Sequence, residues 1–340
     1  MPQSPTQSAT QHATQPATRP TPGPAPQSAT LPTPPGSRWR RLLPLLGLVL
    51  LIVVLARLDR HALAAAFGRL SLWTVPAAAA AFLANVALKA VRWRRLLDAQ
   101  SIALPWRVAV GAFFAAAFYG AITPGRVGEL ARVGVLTARG VPLGRGVASC
   151  IFDRVLDLAT LVTVGGVFGA AWLGEPALAL ALGLLTLIGV PAGRALLLYL
   201  SRRAHGASPA SRAGRLLRDL ALASPPMLTP RALGEALAWT VVAWVGYYGA
   251  VAVLASGMGL SVTLPALVAA TSAAALTALL PVTFQGIGTR ELVFAFALGR
   301  EGVPAEAAVA LSLAALGTFL AASVLSGGLA LVSGRGGRAG

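Results

Sequence analysis

Charge is what this chain has least of: only 11% of its 340 residues are Asp, Glu, Lys or Arg, against about a quarter in soluble domains. That shortage excludes an ordinary solvated fold for most of its length. Cysteine is nearly absent as well. Cys150 stands alone, which excludes an intramolecular disulfide and a thiolate metal cluster. His12, His61 and His205 are the only histidines and lie far apart, so no metal-ligand set is spaced along the chain. A Walker A loop and a nucleophile–base arrangement are also missing. No residue is therefore marked as catalytic, no cofactor is implied, and an ATP-driven mechanism has no support.

What is present is apolar. Hydrophobic residues make up 56% of the chain and the mean hydropathy is +0.72. Runs with few or no charges fall at Leu42–Ala56, Leu72–Leu88, Val108–Thr123, Val147–Leu173, Ala177–Leu200, Ala236–Leu280 and Ala307–Ser333. A spanning helix needs about 20 such residues, so the pattern is that of a multi-pass membrane protein. The formal net charge is +17, and Lys89 is the only lysine. The arginines cluster between apolar runs, where the positive-inside rule and anionic headgroups account for them. Nucleic acid is accordingly not an expected partner.

Residues 1–36 are rich in Pro, Thr, Gln, Ser and Ala with almost no large apolar side chains. Such a composition cannot offset its ordering entropy, so a disordered cytoplasmic tail is expected, followed by a transmembrane domain over 37–335. Arg38, Arg40 and Arg41 directly before Leu42 mark an uncleaved signal anchor with its N-terminus inside. The segment around Lys89, Arg92, Arg94, Arg95 and Arg107 reads as a basic cytoplasmic loop, and so does 201–231. Three apolar runs separate these loops, which violates parity. Parity is restored if 108–136 enters the membrane and returns, with Thr123-Pro124-Gly125 breaking its helix. Re-entrant backbone is tolerated only where protein or a water-filled cavity surrounds it, as in transport-type sites.

An internal repeat appears at an offset of 162 residues. Glu129-Leu130 matches Glu291-Leu292, Gly140-Val141-Pro142 matches Gly302-Val303-Pro304, and Gly165-Gly166 matches Gly327-Gly328. The copies span about 72–173 and 234–333. Charge placement gives them opposite orientations, with a second hairpin near 262–299 breaking at Leu280-Pro281 through Gly288 and both termini cytoplasmic. The fold expected is all-α and polytopic: an inverted repeat with about six full transmembrane helices plus two re-entrant helical hairpins.

Each break combines glycines, an arginine and a glutamate. The first holds Arg126, Gly128 and Glu129, followed by Arg132; the second holds Gln285, Gly286, Gly288, Arg290 and Glu291. A half-helix N-terminus presents unpaired N–H groups that favour an anion. Arginine adds a fork matched to phosphate oxygens. Ionisable groups at membrane depth are costly and point to function by default; here they also suit structural ion pairs that close the hairpins. Asp153, Arg154 and Asp157 form a third cluster whose counterparts 162 residues later are Ala315, Leu316 and Phe319. The paired glycines read as close helix packing. Trp39, Trp73, Trp93 and Trp106 read as interface anchors, and 211–222 as an amphipathic helix on the anionic leaflet.

Arg92-Trp93, the Pro-Gly-Arg-x-Gly-Glu-x-x-Arg run ending at Arg132, Asp153-Arg154-x-x-Asp157, and Pro281 with Gly286-x-Gly288-x-Arg290-Glu291 together resemble the transmembrane region of lysylphosphatidylglycerol synthases. The resemblance covers roughly 40–333. The chain departs from the family's pattern at Tyr119-Gly120, where an asparagine is frequent, and at Phe284-Gln285, where glycine is. The resemblance implies a bacterial cytoplasmic-membrane module that flips a lipid, without the soluble domain that transfers the aminoacyl group. The expected ligand is an anionic, aminoacylated or isoprenoid-type lipid held by Arg126, Arg290 and their neighbours, with Arg154 and Asp157 lining a cytoplasmic entrance. A lipid-modifying enzyme is one alternative. A scaffold for a cell-envelope enzyme is another, and a homo-oligomer is compatible with either.

Overall fold

A computed structural model describes residues 38–205, 211–279 and 283–335. The tail over 1–36, Arg338 and the Leu280-Pro281 pair lie outside them. The described chain is all-helical. Its α-helices are α1 (Arg38–Arg57), α2 (Arg60–Gly68), α3 (Thr74–Ala99), α4 (Trp106–Ala121), α5 (Ala131–Thr137), α6 (Leu143–Trp172), α7 (Pro176–His205), α8 (Arg212–Ala223), α9 (Pro230–Gly257), α10 (Leu264–Thr277), α11 (Thr289–Gly299) and α12 (Ala305–Arg335).

Five of these are long and apolar enough to cross a membrane: α3, α6, α7, α9 and α12. The sixth expected span falls in α1, a helix of 20 residues, while α4 and α10 are shorter apolar helices. Runs of Ala and Leu supply good helix formers, and the ends fall where that supply stops. Gly140 and Gly302, 162 residues apart, both take positive φ, +79° and +78°. Val141 N–H then bonds back to Leu136 O, and Val303 N–H to Leu298 O, in the same pattern. Each glycine closes a helix that only a left-handed residue can end in this way.

Packing is crosswise between the two stretches that match in sequence. α3 lies along α9, α4 against α12, and α6 against α10. Lipid tails are as apolar as leucine, so such contacts are held by close packing and internal polar bonds more than by water exclusion. Gly165 and Gly327 are points of close approach. A Cβ on Gly165 would come within 2.6 Å of Ser272, and one on Gly327 within 2.9 Å of the Phe118 ring. Gly328, by contrast, meets nothing within 4 Å.

α7 stands apart. Its apolar stretch has no buried residue, and it packs only on α6, α8 and the short Pro225–Leu228 turn. α8 occupies the expected amphipathic segment; Ser211 caps it by accepting from Gly214 N–H, and it packs on α6 and α7.

Two expectations are corrected. The basic stretch beginning at Lys89 is not a loop but the second half of α3, and Arg92 is fully buried. Trp93 is buried too and no interface anchor: its indole donates to Ser149 Oγ and packs beside Arg132. Carboxylates on α6 let charged residues enter the helix interior, a tertiary effect that charge counting along α3 does not contain. Trp73 and Trp106 are exposed, consistent with anchoring.

Candidate functional site: a buried ion network between two helix breaks

Past the end of α4, Thr123 and Pro124 start a tight 3₁₀ segment, Pro124–Leu130, in which Gly125 and Arg126 both adopt left-handed conformations. For Arg126, with φ +57°, that geometry costs about 1–3 kcal/mol and persists only where the surroundings enforce it. Thr123 Oγ1 donates to Tyr119 O and accepts from Gly128 N–H. Gly128 sits so close that an added Cβ would lie 2.4 Å from the Tyr119 carbonyl oxygen. Glycine is thus required there by backbone contact, not by a ligand.

This turn aims charges inward. Arg126 Nε lies 2.8 Å from Glu129 Oε1, and the other carboxylate oxygen pairs with Arg154. Two guanidinium groups thus share one carboxylate. One turn on, Arg132 Nη2 reaches Asp153 Oδ2 at 2.8 Å. Arg92 contacts Asp153 Oδ1 at 2.6 Å and Asp157 Oδ1 at 2.8 Å, and it donates to Thr240. Lys89 Nζ lies 3.0 Å from Asp157 Oδ2 and over the Trp244 ring. The Trp244 indole donates to Asp157. Four helices therefore meet through one hydrogen-bonded network: α3, α5, α6 and α9.

The second break turns at Gln285, Gly286 and Gly288, with φ of +51°, +74° and +86°. Its Gln285 amide donates to Gly120 O and Ala121 O, the otherwise unpaired carbonyls at the end of α4. The two breaks therefore touch, and they do so at the two sites where the chain departs from the family's pattern. Beyond Gln285 this break is self-contained. Glu291 accepts from Gly288 N–H at 2.6 Å and from Ser312 at 2.9 Å, and Ser312 also bonds Arg290.

The side chain of Glu291 thus fills the α11 N-terminus where an anion was expected. The first break leads only to a 3₁₀ segment and the short α5. The positive charge between the breaks is accordingly carried by side chains and not by free helix N-termini.

A cavity of about 60 Å³ lies between the breaks, room for a few waters. Arg126, Glu129, Arg132, Arg154, Asp157, Gln285 and Arg290 of the expected site residues line it. Gly128, Gly286, Gly288 and Glu291 shape its backbone instead. Asp157 stands inside the network, and not at an entrance. Sequence reasoning missed Asn85, Lys89 and Arg92 as members, although their i, i+4, i+7 spacing on α3 is the mark of one helix face.

Counting Arg92 behind the wall and Glu291 beside Arg290, six basic groups face four carboxylates. The excess is two positive charges in a membrane domain. A carboxylate excess would suit a cation; this arrangement suits an anion.

These features define a multi-pass helical membrane protein whose interior holds a basic, water-sized cavity between two broken helices. Residues 42–327 match the family described as Lysylphosphatidylglycerol synthase TM region, and the chain belongs to it. No curated protein and no solved structure matches the chain. The family links the protein to lipid metabolism or lipid flipping.

Proposed function

We propose that this protein binds the anionic headgroup of a membrane lipid in the cavity between the two breaks and passes it from one leaflet to the other. The observation that carries this reading is the two-charge excess within a closed network. An unneutralised excess at membrane depth is costly, and a phosphate-bearing headgroup would neutralise it. Arg126 and Arg154 are the contact groups, because they line the cavity and share a single carboxylate. Arg92 and Arg132 are held by two aspartates and serve as the frame.

The cavity is smaller than a phospholipid headgroup, so passage requires its walls to move. The left-handed turns at Gly125-Arg126 and Gln285-Gly286 are the natural hinges, because the backbone at both departs from helical geometry. Anionic phospholipids, aminoacylated phospholipids and polyprenyl phosphates all carry the required phosphate. The arginines before Leu42 support a bacterial cytoplasmic membrane with both ends of the chain inside.

The test is lipid translocation in proteoliposomes, with leaflet-selective quenching across those three lipid classes. Wild type is expected to move at least one class. Arg126→Ala combined with Arg154→Ala is expected to reduce that movement at least tenfold, at unchanged monodispersity. Equal rates for wild type, variant and empty vesicles would reject translocation and favour the scaffold or enzyme readings.

A further inference from the structure

A second basic feature lies outside the central cavity. A groove of about 690 Å³ runs between α4, α5 and α12, walled by Gly111, Ala115, Tyr119, Val324 and Leu331 among others. Its volume is within the range of about 300–1,000 Å³ typical of small-molecule sites. Behind it α4 and α12 are in direct contact, with Phe118 seated on Gly327 and Ser326 against Phe114 O. Two charged side chains line the groove, and both are arginines. Arg107 is the second residue of α4 and Arg139 follows the end of α5.

Both arginines are exposed, and no carboxylate lines the groove with them. Neither forms an ion pair among the described residues; Arg139 donates only to Val135 O. An apolar trench with two uncompensated guanidinium groups at element ends is complementary to a lipid with a negative head and apolar tail. Gly328 supports the same conclusion. Its twin Gly327 is pressed against Phe118, whereas a side chain on Gly328 would project into open space. Glycine at 328 leaves the groove unfilled without any packing need.

We infer that this groove is a binding site for one anionic phospholipid, with its phosphate between Arg107 and Arg139 and an acyl chain along α4 and α12. The inference rests on the membrane fold and not on translocation through the central cavity.

Native mass spectrometry of the full chain in non-ionic detergent tests it, with phosphatidylglycerol and phosphatidylcholine of matched chains added separately. Wild type is expected to retain phosphatidylglycerol about tenfold better. Arg107→Ala with Arg139→Ala is expected to abolish that preference, Arg107→Lys with Arg139→Lys to keep most of it, and Gly328→Leu to lower retention of both lipids. The share of the preference that Arg107→Ala with Arg139→Ala removes is expected to be removed equally when Arg126→Ala and Arg154→Ala are already in place. Equal retention of both lipids by wild type would overturn the site. So would a preference that survives Arg107→Ala with Arg139→Ala, or one lost only on changing the central arginines.

Discussion

α6 and α12 begin 162 residues apart and occupy matching places in the two halves, yet their interiors are chemically opposite. α6 carries Asp153, Arg154 and Asp157 into the network; the same positions of α12 carry Ala315, Leu316 and Phe319, all buried in apolar packing. Phe319 still faces the site, since the Arg126 guanidinium lies 5.6 Å from its ring centre. The breaks differ likewise. The first exports its charges into the cavity, and the second spends Glu291 on its own helix end. Matching sequence positions thus do not require matching chemistry. The first half supplies most of the ions, while the second supplies Arg290, Glu291 and the Gln285 amide that bonds the end of α4.

The largest effect is expected from forcing the halves to resemble each other. Ala315→Asp would bury a carboxylate with no partner, and Arg92→Met would leave Asp153 and Asp157 without their shared cation. Each is expected to cost about 3–5 kcal/mol, visible as a lowered melting temperature in detergent. Adding Asp153→Asn to Arg92→Met should recover part of that loss. Full stability of Ala315→Asp alone would show that the two halves are less distinct than their packing indicates.

A smaller effect separates the two glutamates. Glu291→Gln keeps an oxygen for Gly288 N–H, so it is expected to cost about 1 kcal/mol and to leave lipid movement intact. Glu129→Gln removes the only carboxylate shared by Arg126 and Arg154. It is expected to change lipid transport at least fivefold with little loss of stability. Reversed outcomes would move the functional site to the second break.

The smallest effect concerns the turns after α5 and α11, where Arg139 and Glu301 are 162 apart. Glu301 lies outside the spans and accepts from Trp172 and from Thr263 N–H. Desolvation pushes its carboxyl up, but these hydrogen bonds outweigh it and hold the pKa below the ordinary value. A depressed pKa stabilises the fold above the unfolded value of about 4.3. That contribution fades as the pH falls through the folded value. The melting-temperature gap between wild type and Glu301→Gln is therefore expected to shrink from pH 6 toward pH 3. An unchanged gap would mean that the carboxylate's charge does not matter there.

Much of this was legible in the chain itself. Apolar length identified the membrane class, and Thr123-Pro124-Gly125 marked a helix break that the structure places there. Short signatures around Arg126, Asp153 and Arg290 pointed to the family. Lys89 and Arg92 were misplaced because a cation's position depends on its partner. Nothing local to α3 reveals that Asp153 and Asp157 lie opposite. The role of Glu291 was obscured for a similar reason: Ser312 and the Gly288 N–H claim it only once α11 packs against α12.

The sequence alone determined that this is an all-helical membrane protein, that a helix breaks at Thr123-Pro124-Gly125, and that charged residues follow that break. These are local matters of hydropathy, propensity and backbone freedom. Only the tertiary structure decided which charges neutralise each other, which glycines are pressed against a neighbour, and where positive charge is left over. Those outcomes depend on distances between segments some 60–165 residues apart, which no local rule specifies.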